Sequence, residues 1–190
     1  MNKILLFGAI IFLFVSTSCN NTSNKDSEKI ADKKNEQKED SSKVAEKMED
    51  DSKFVVKATS GVTMEVELGT YAEKNAVTPG VKNFGKTMAE DHSKDKEALT
   101  KLASQKNITI PTVTGEDFQK HINEIESKKG VDFDKAYISF MVSDHKDDID
   151  EFEKEVKDGK DGDIKAFATK GLPVLHHHFD MANSLHDQLK

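Results

Sequence analysis

The chain has 190 residues and a mass of 21.2 kDa, which leaves room for one domain of ordinary size. Its 28 basic residues, all of them lysine, are outnumbered by 35 acidic residues, and the formal net charge is −7. An acidic chain without guanidinium groups is poorly suited to grip phosphates, so we expect no nucleic acid as a partner. With no tryptophan and 33% charged residues, the composition favours surface-charged helices over a β-sandwich.

The first 18 residues have the organisation of a secretory signal peptide. Lys3 precedes an apolar run from residue 4 to residue 15, and the small residues 16–18 follow this run directly. The run is well short of the ~20 apolar residues that a membrane-spanning helix needs. We therefore predict that residues 1–18 are a lipoprotein signal peptide that is removed.

Cys19 is the single cysteine, so the chain forms no internal disulfide. Its position directly after the small residues resembles the lipobox of bacterial lipoproteins, although Ser16 replaces the usual leucine. This resemblance implies that Cys19 carries two or three acyl chains, and more than one chain is what stable membrane anchoring takes. A plain secretory signal with an incidental cysteine is the alternative. Residues 19–51 have little apolar content and are predicted to be a lipid-anchored, charged tether.

Residues 52–190 are predicted to form an all-α domain, because apolar residues recur there in alternating steps of three and four. Four long helices have such stripes: about 52–75, from Pro79 onward, about 132–157, and from about 161 to the C-terminus. A short amphipathic helix opens near residues 114–117, in the link between the second and third long helices. Pro173 is expected to kink the last helix.

The lengths of the connections predict the topology. The first and second long helices are joined by a few residues, and so are the third and fourth, which makes each pair antiparallel neighbours. The long link at 107–130 allows the chain to cross the length of the bundle. This pattern is that of a ferritin-like four-helix bundle with one long crossover between helices 2 and 3.

One ionisable residue lies on the inward stripe of each long helix: Glu65, His92, His145 and His178. Counted from the end of the bundle with the first turn, they lie about 12, 15, 13 and 11 or 12 residues down, within roughly 6 Å in height. The sequence therefore predicts one polar layer at the middle of the bundle. We interpret it as a candidate transition-metal site. A hydrogen-bonded layer that fixes helix register, and catalysis without a metal, are the alternatives.

An internal repeat supports a special role for two of these helices. Residues 88–95 and 141–148 share Met, Asp, His and Asp at the same spacing. Met88 and Met141 lie one turn before the histidines. We interpret them as residues that fill gaps in the core, and a thioether ligand for copper is the alternative. Asp95 and Asp148 are expected to orient histidines, and imidazole with carboxylate suits zinc, iron or manganese. The other histidines are expected at the surface: His121, His176, His177 and His186.

The domain resembles the bacterial domain-of-unknown-function family 4142 over about residues 53–188. The resemblance rests on Phe54, Glu65-Val66, Met88 with Asp91-His92, Met141 with Asp144-His145, and Leu172-Pro173 with His178. It implies a ferritin-like fold and a location at the outer membrane, and it brings no activity. The Glu-x-x-His motif of di-iron proteins with this fold does not occur, because Ala89, Val142 and Leu175 stand three residues before the histidines.

We therefore expect a non-catalytic lipoprotein of the bacterial cell envelope, anchored in a membrane through Cys19. Its bundle is expected to bind a transition metal, with iron, copper and zinc as the candidates, at Glu65, His92, His145 and His178. A redox enzyme of an atypical ferritin-like type is the first alternative. A purely structural or interaction module with a polar core layer is the second.

Overall fold

The structure, a computed structural model, describes residues 27–39 and 49–190. Within these ranges every regular element is a helix, which confirms the predicted all-α class. The helices are α1 (Ser27–Glu39), α2 (Glu49–Asn75), α3 (Pro79–Lys106), α4 (Glu116–Glu126), α5 (Val131–Asp158) and α6 (Gly162–Leu189). The predicted signal peptide, Cys19 and residues 20–26 and 40–48 of the predicted tether lie outside the described residues. None of the helices at 27–39 and 49–190 is long and apolar enough to cross a membrane.

The long helices form two antiparallel hairpins, α2 with α3 and α5 with α6. In the first hairpin, Gly69 faces Gly85 so closely that a Cβ at Gly69 would lie 2.7 Å from the Gly85 carbonyl oxygen. In the second, Gly171 packs against the Phe152 ring, where a Cβ would meet the ring at 2.7 Å. Glycine therefore sets how closely the helices of each hairpin approach each other.

The hairpins pack face to face, α2 against α5 and α3 against α6. The rings of Phe54 and Phe152 contact each other at one end, and those of Tyr71 and Phe133 at the other, so α2 and α5 are antiparallel. Helices α3 and α5 therefore run in the same direction. Residues 107–130, which include α4, connect them along the bundle, and α4 packs against α2 and α5.

At each end of the bundle, a carboxylate of one hairpin accepts hydrogen bonds from the turn of the other hairpin. Asp134 of α5 accepts hydrogen bonds from the backbone N–H groups of residues 77 and 78, in the α2–α3 turn, at 3.1 and 2.7 Å. Asp51 of α2 accepts from the backbone N–H groups of Lys160 and Asp161 in the α5–α6 turn, at 2.9 and 2.5 Å. In each turn, backbone N–H groups that have no partner within a helix therefore donate to a carboxylate of the opposite hairpin.

The starts of α3, α5 and α6 lie within one residue of the predicted positions, whereas α2 begins at Glu49, three residues before its predicted start and within the predicted tether. Thr78 makes no side-chain hydrogen bond to the start of α3, and α4 follows Gly115, which has no side chain to act as a cap. Asp161 does cap α6, accepting from the N–H groups of residues 163 and 164. Helix α6 continues through Pro173.

The structure differs from the sequence prediction at residues 27–39, within the predicted tether. This segment forms α1, which packs on α2. Ala31 and Asn35 share one face and are buried, and the Asn35 amide exchanges two hydrogen bonds with the backbone of Thr109, at 3.0 and 2.7 Å. Because α1 docks through polar contacts to a backbone, its low apolar content did not reveal it.

The core consists of two apolar clusters, one toward each end of the bundle. Leu68, Phe84 and Tyr137 lie in the cluster at the α2–α3 turn. Leu99 and Ile164 lie in the cluster at the α5–α6 turn. The inward polar residues of the four long helices lie between the two, which places a polar layer in the middle of an otherwise apolar interior.

Candidate metal centre

The structure brings all four predicted ligands together at the centre of the bundle. Glu65 comes from α2, His92 from α3, His145 from α5 and His178 from α6, and each is at most 1% exposed. They occupy inward positions because the steps of three and four keep each stripe on one helix face. The predicted common height is therefore observed.

The three imidazoles surround a common point. Ring centroids are 5.7 Å apart for His92 and His145, 5.1 Å for His92 and His178, and 5.6 Å for His145 and His178. One nitrogen from each ring lies within 4.8 Å of one from each of the others. The Glu65 carboxyl group lies beside them, with Oε2 3.3 Å from His92 Nδ1 and Oε1 3.5 Å from His145 Nε2.

Most polar atoms of this cluster lack a close hydrogen bond within the described residues. Both ring nitrogens of His92 and of His145, Nδ1 of His178 and Oε1 of Glu65 are buried without a well-aligned side-chain hydrogen bond. The nearest oxygens of Glu65 and Asp95 lie 3.3–3.5 Å from the His92 and His145 nitrogens, and the Met141 backbone acts on His145. A buried polar atom without a partner costs roughly 1–3 kcal/mol. Six poorly bonded atoms at one place are more than a native core normally contains, so their arrangement requires an explanation.

Burial controls the protonation of the imidazoles. Burial holds the pKa of His145 well below its ordinary value, and the nearby rings of His92 and His178 lower it further. Burial, together with His92, lowers the pKa of His178 to about 4, although the hydrogen bond to Asp91 acts in the opposite direction. Both rings are therefore neutral at pH 7, which is the form in which histidine binds a metal.

The pKa values of the carboxyl groups in the centre are raised, whereas those of His145 and His178 are lowered. Burial raises the pKa of Glu65 well above its ordinary value, and Asp148 and Asp144 raise it further. Burial with the neighbouring Asp148 likewise raises the pKa of Asp144, and burial with Glu151 raises that of Asp148 to about 7. Lys57 lowers the pKa values of Asp144 and Asp148 but does not cancel the effect of burial. A cation placed in the centre would reverse the shifts.

Two functional candidates were missed by sequence reasoning, Asp91 and Asp144. Asp91 Oδ2 lies 3.3 Å from His178 Nε2, so it bonds the histidine of the neighbouring helix. Oxygens of Asp144 and Glu65 and a ring nitrogen of His145 lie within 4.8 Å of one another, which makes a second candidate group that shares His145. The repeat contained the signal: in both copies an aspartate directly precedes the histidine and reaches the inward polar residue of an adjacent helix.

The residues predicted to support the ligands, two aspartates and two methionines, lie in different environments. Asp95 Oδ2 lies 3.4 Å from His92 Nδ1, as expected of a residue that orients this ring. Asp148 instead lines a cavity beside Glu65 and His92. Met88 and Met141 are fully buried in the apolar cluster at the α2–α3 turn, where they pack as core residues.

The remaining histidines lie away from the centre. His121, His176 and His177 are exposed, and His186 is partly exposed. The His121 ring contacts the Phe140 ring, with centroids 5.0 Å apart. Consecutive helical residues point in directions about 100° apart, which is why only one residue of the triple histidine faces inward.

The comparisons with known proteins identify a family. The family described as "Domain of unknown function (DUF4142)" matches residues 34–185, and this confirms the resemblance seen in the sequence. The match covers α2 to α6 and all the residues of the centre. No curated protein and no solved structure matches the chain.

Proposed function

The chain belongs to the DUF4142 family, and we propose that its domain binds one divalent first-row transition metal ion through His92, His145, His178 and Glu65. The observation that carries the proposal is the set of buried ring nitrogens, short of close hydrogen bonds, that face one another within 4.8 Å. In a tetrahedral site with metal–nitrogen distances of about 2.0–2.1 Å, the nitrogens would lie ~3.3 Å apart. Small movements of side chains would bring these ligands to that distance.

The competing function is a polar layer that only fixes helix register. Such a layer satisfies its members by hydrogen bonds among themselves, because a half-satisfied network is worse than an apolar core. Here the ring nitrogens of His92 and His145 form no well-aligned side-chain hydrogen bond within the described residues, and the oxygens of Glu65 and Asp95 lie 3.3–3.5 Å from them. The shortage of close hydrogen bonds favours a ligand set over a structural layer.

The ligand atoms of the site also limit which metal ions can bind. Imidazole with carboxylate suits zinc or iron, whereas a site for Cu(I) would need soft sulfur donors. Met88 and Met141 pack in the apolar cluster, which leaves the centre without thioether ligands among the described residues. Asp91 forms a hydrogen bond with Nε2 of His178, so Nδ1 is the ring nitrogen that remains free to bind the metal. A carboxylate that holds a metal-binding histidine in this way is common around such sites.

The proposal includes the setting of the domain. Two antiparallel hairpins joined by a long crossover, with ligands on all four long helices, support a ferritin-like four-helix bundle. We place this bundle in the bacterial cell envelope, at the outer membrane, with acylated Cys19 as its anchor and with metal binding rather than catalysis as its role. The lipobox-like residues 16–19 support the anchor.

Metal analysis of the purified full-length protein tests the central proposal. We expect about one zinc or iron ion per chain, and less than a tenth of that in His92→Ala and His145→Ala. His121→Ala and His177→Ala, which alter exposed histidines, are the matched controls and should keep full metal content. Far-UV circular dichroism verifies that each variant is folded. A wild-type protein that binds no added metal, and is equally stable with and without chelator, would support the structural layer instead.

The anchor is tested separately by Cys19→Ser. We expect the wild-type protein to partition into detergent and to incorporate radiolabelled fatty acid when expressed in bacteria. The serine variant should remain in the aqueous phase without label. Equal aqueous partitioning of both proteins would indicate a plain secretory signal.

A further inference from the structure

A small cavity adjoins the candidate metal centre. Its volume is about 20 Å³, and its lining includes Glu65 and His92, two of the proposed ligands. One water molecule needs a space of ~10–15 Å³. The cavity therefore has room for a ligand of about two non-hydrogen atoms directly beside the proposed metal.

The cavity exists where Gly61 of α2 adds no side chain to the layer next to the histidines. Asp95 and Asp148 line it, and apolar residues, including Phe152, form its walls. A Cβ at Gly61 would meet no atom of the described residues within 4 Å, apart from its own local helix backbone, so this glycine borders open space. At Gly171, which also lines the cavity, the Phe152 ring occupies the place of a side chain.

The lining also defines the charge of a suitable ligand. Three carboxyl groups line the cavity, those of Glu65, Asp95 and Asp148, and no lysine of the described residues does. The three carboxyl groups would repel an anion, and the proposed metal ion would be its one attractive partner among the described residues that line the cavity. A neutral molecule would meet hydrogen-bond acceptors and apolar walls without this repulsion. Asp95 has a side chain 33% exposed, so the lining extends to solvent.

We propose that this cavity is the binding site for a neutral ligand of two non-hydrogen atoms, which would coordinate the metal ion beside Glu65 and His92. The inference rests on the proposed metal site and adds a ligand class to it. Iron sites with two histidines and one carboxylate keep open positions. With three histidines and Glu65, a six-coordinate iron(II) would keep two positions open, whereas a tetrahedral zinc ion would keep none, so the inference applies to the iron-loaded protein. Size and charge together exclude larger molecules and anions.

Nitric oxide is a suitable probe because it is neutral, contains two atoms and gives a distinctive paramagnetic signal with iron(II). The full-length protein is loaded anaerobically with Fe²⁺, its iron content is measured, and nitric oxide binding is followed by electron paramagnetic resonance. We expect saturable binding at one nitric oxide per iron. Azide, an anion of three atoms, should bind at least tenfold more weakly.

Gly61→Val fills the cavity without altering a ligand. It should keep the iron content and weaken nitric oxide binding at least tenfold, while Gly61→Ala, which adds one carbon, should weaken it less. Gly162→Val, at an exposed glycine, is the matched control and should bind as the wild type does. The graded pair keeps the test valid if valine prevents folding.

The outcomes separate this inference from the proposed function. Iron that binds but gives no nitric oxide complex would overturn the inference and leave the metal site intact. Unchanged binding in folded Gly61→Val would overturn the cavity as the ligand site. Failure to bind any metal would overturn both proposals.

Discussion

The replacement Asp148→Asn tests the electrostatics of the centre in the metal-free protein. Burial raises the pKa of Asp148 from 3.8 to about 7, so the folded state holds a proton on this group more strongly than the unfolded state does. Between about pH 4 and pH 7 the folded state binds more protons, and stability falls as the pH rises through this window. Above pH 7 the folded protein contains a costly, partly buried charge, which asparagine removes.

The size of the effect follows from the shift. A change of about three pKa units, at 1.36 kcal/mol each, corresponds to roughly 4 kcal/mol at pH 8. Near pH 4.5 the group is protonated in the folded wild-type protein, and the difference shrinks to about 1 kcal/mol. We therefore expect Asp148→Asn to stabilise the protein by about 2–4 kcal/mol at pH 8 and much less at pH 4.5.

Urea denaturation in the presence of a chelator, at both pH values, measures the free energy of unfolding. Asp147→Asn is the matched control, because Asp147 is the exposed neighbour on the same helix. Its replacement should change stability by no more than about 0.5 kcal/mol. An equal gain at both pH values, or a loss at pH 8, would refute the reasoning.

Three further predictions concern packing. Gly85→Ala should destabilise the protein by about 2–3 kcal/mol, since its Cβ would stand 2.7 Å from the Ala72 Cβ; Gly162→Ala, in open space, should be nearly neutral in thermal unfolding. Asn35→Ala should weaken hydrogen-exchange protection across α1 by about 1–2 kcal/mol, because two hydrogen bonds are lost. Unchanged protection would show that these bonds do not hold α1 in place. Met88→Leu should cost less than about 1.5 kcal/mol and keep full metal content, whereas loss of metal would identify a thioether ligand.

Much of the interior could be predicted from the sequence because the helices are long and strongly periodic. Alternating steps of three and four place Glu65 and the three histidines on inward faces, and a rise of ~1.5 Å per residue is enough to compare their heights. Pro79 marked the start of α3, and the glycine at 159 the end of α5. These signals are local, and they need no knowledge of the neighbouring helices.

The contacts between helices were beyond the same reasoning. Asp91 lies beside the inward stripe of its own helix and gains its role only when α6 brings His178 within 3.3 Å. Asn35 looked like part of a charged tether until the backbone of Thr109 paired with its amide. In both cases the partner is more than 70 residues away in the chain, so no local pattern could identify it.

The carboxylates of Asp51 and Asp134, at opposite ends of the molecule, determine how far one hairpin can slide along the other. Asp134 lies ~16 Å along α5 from His145, and Asp51 lies ~21 Å along α2 from Glu65, at ~1.5 Å per residue. A slip by a single residue would displace two of the four central side chains by ~1.5 Å relative to the other two. The geometry of the central layer is therefore fixed by contacts at the two ends, and a change in the length of either turn would alter the distances between the three imidazoles and Glu65.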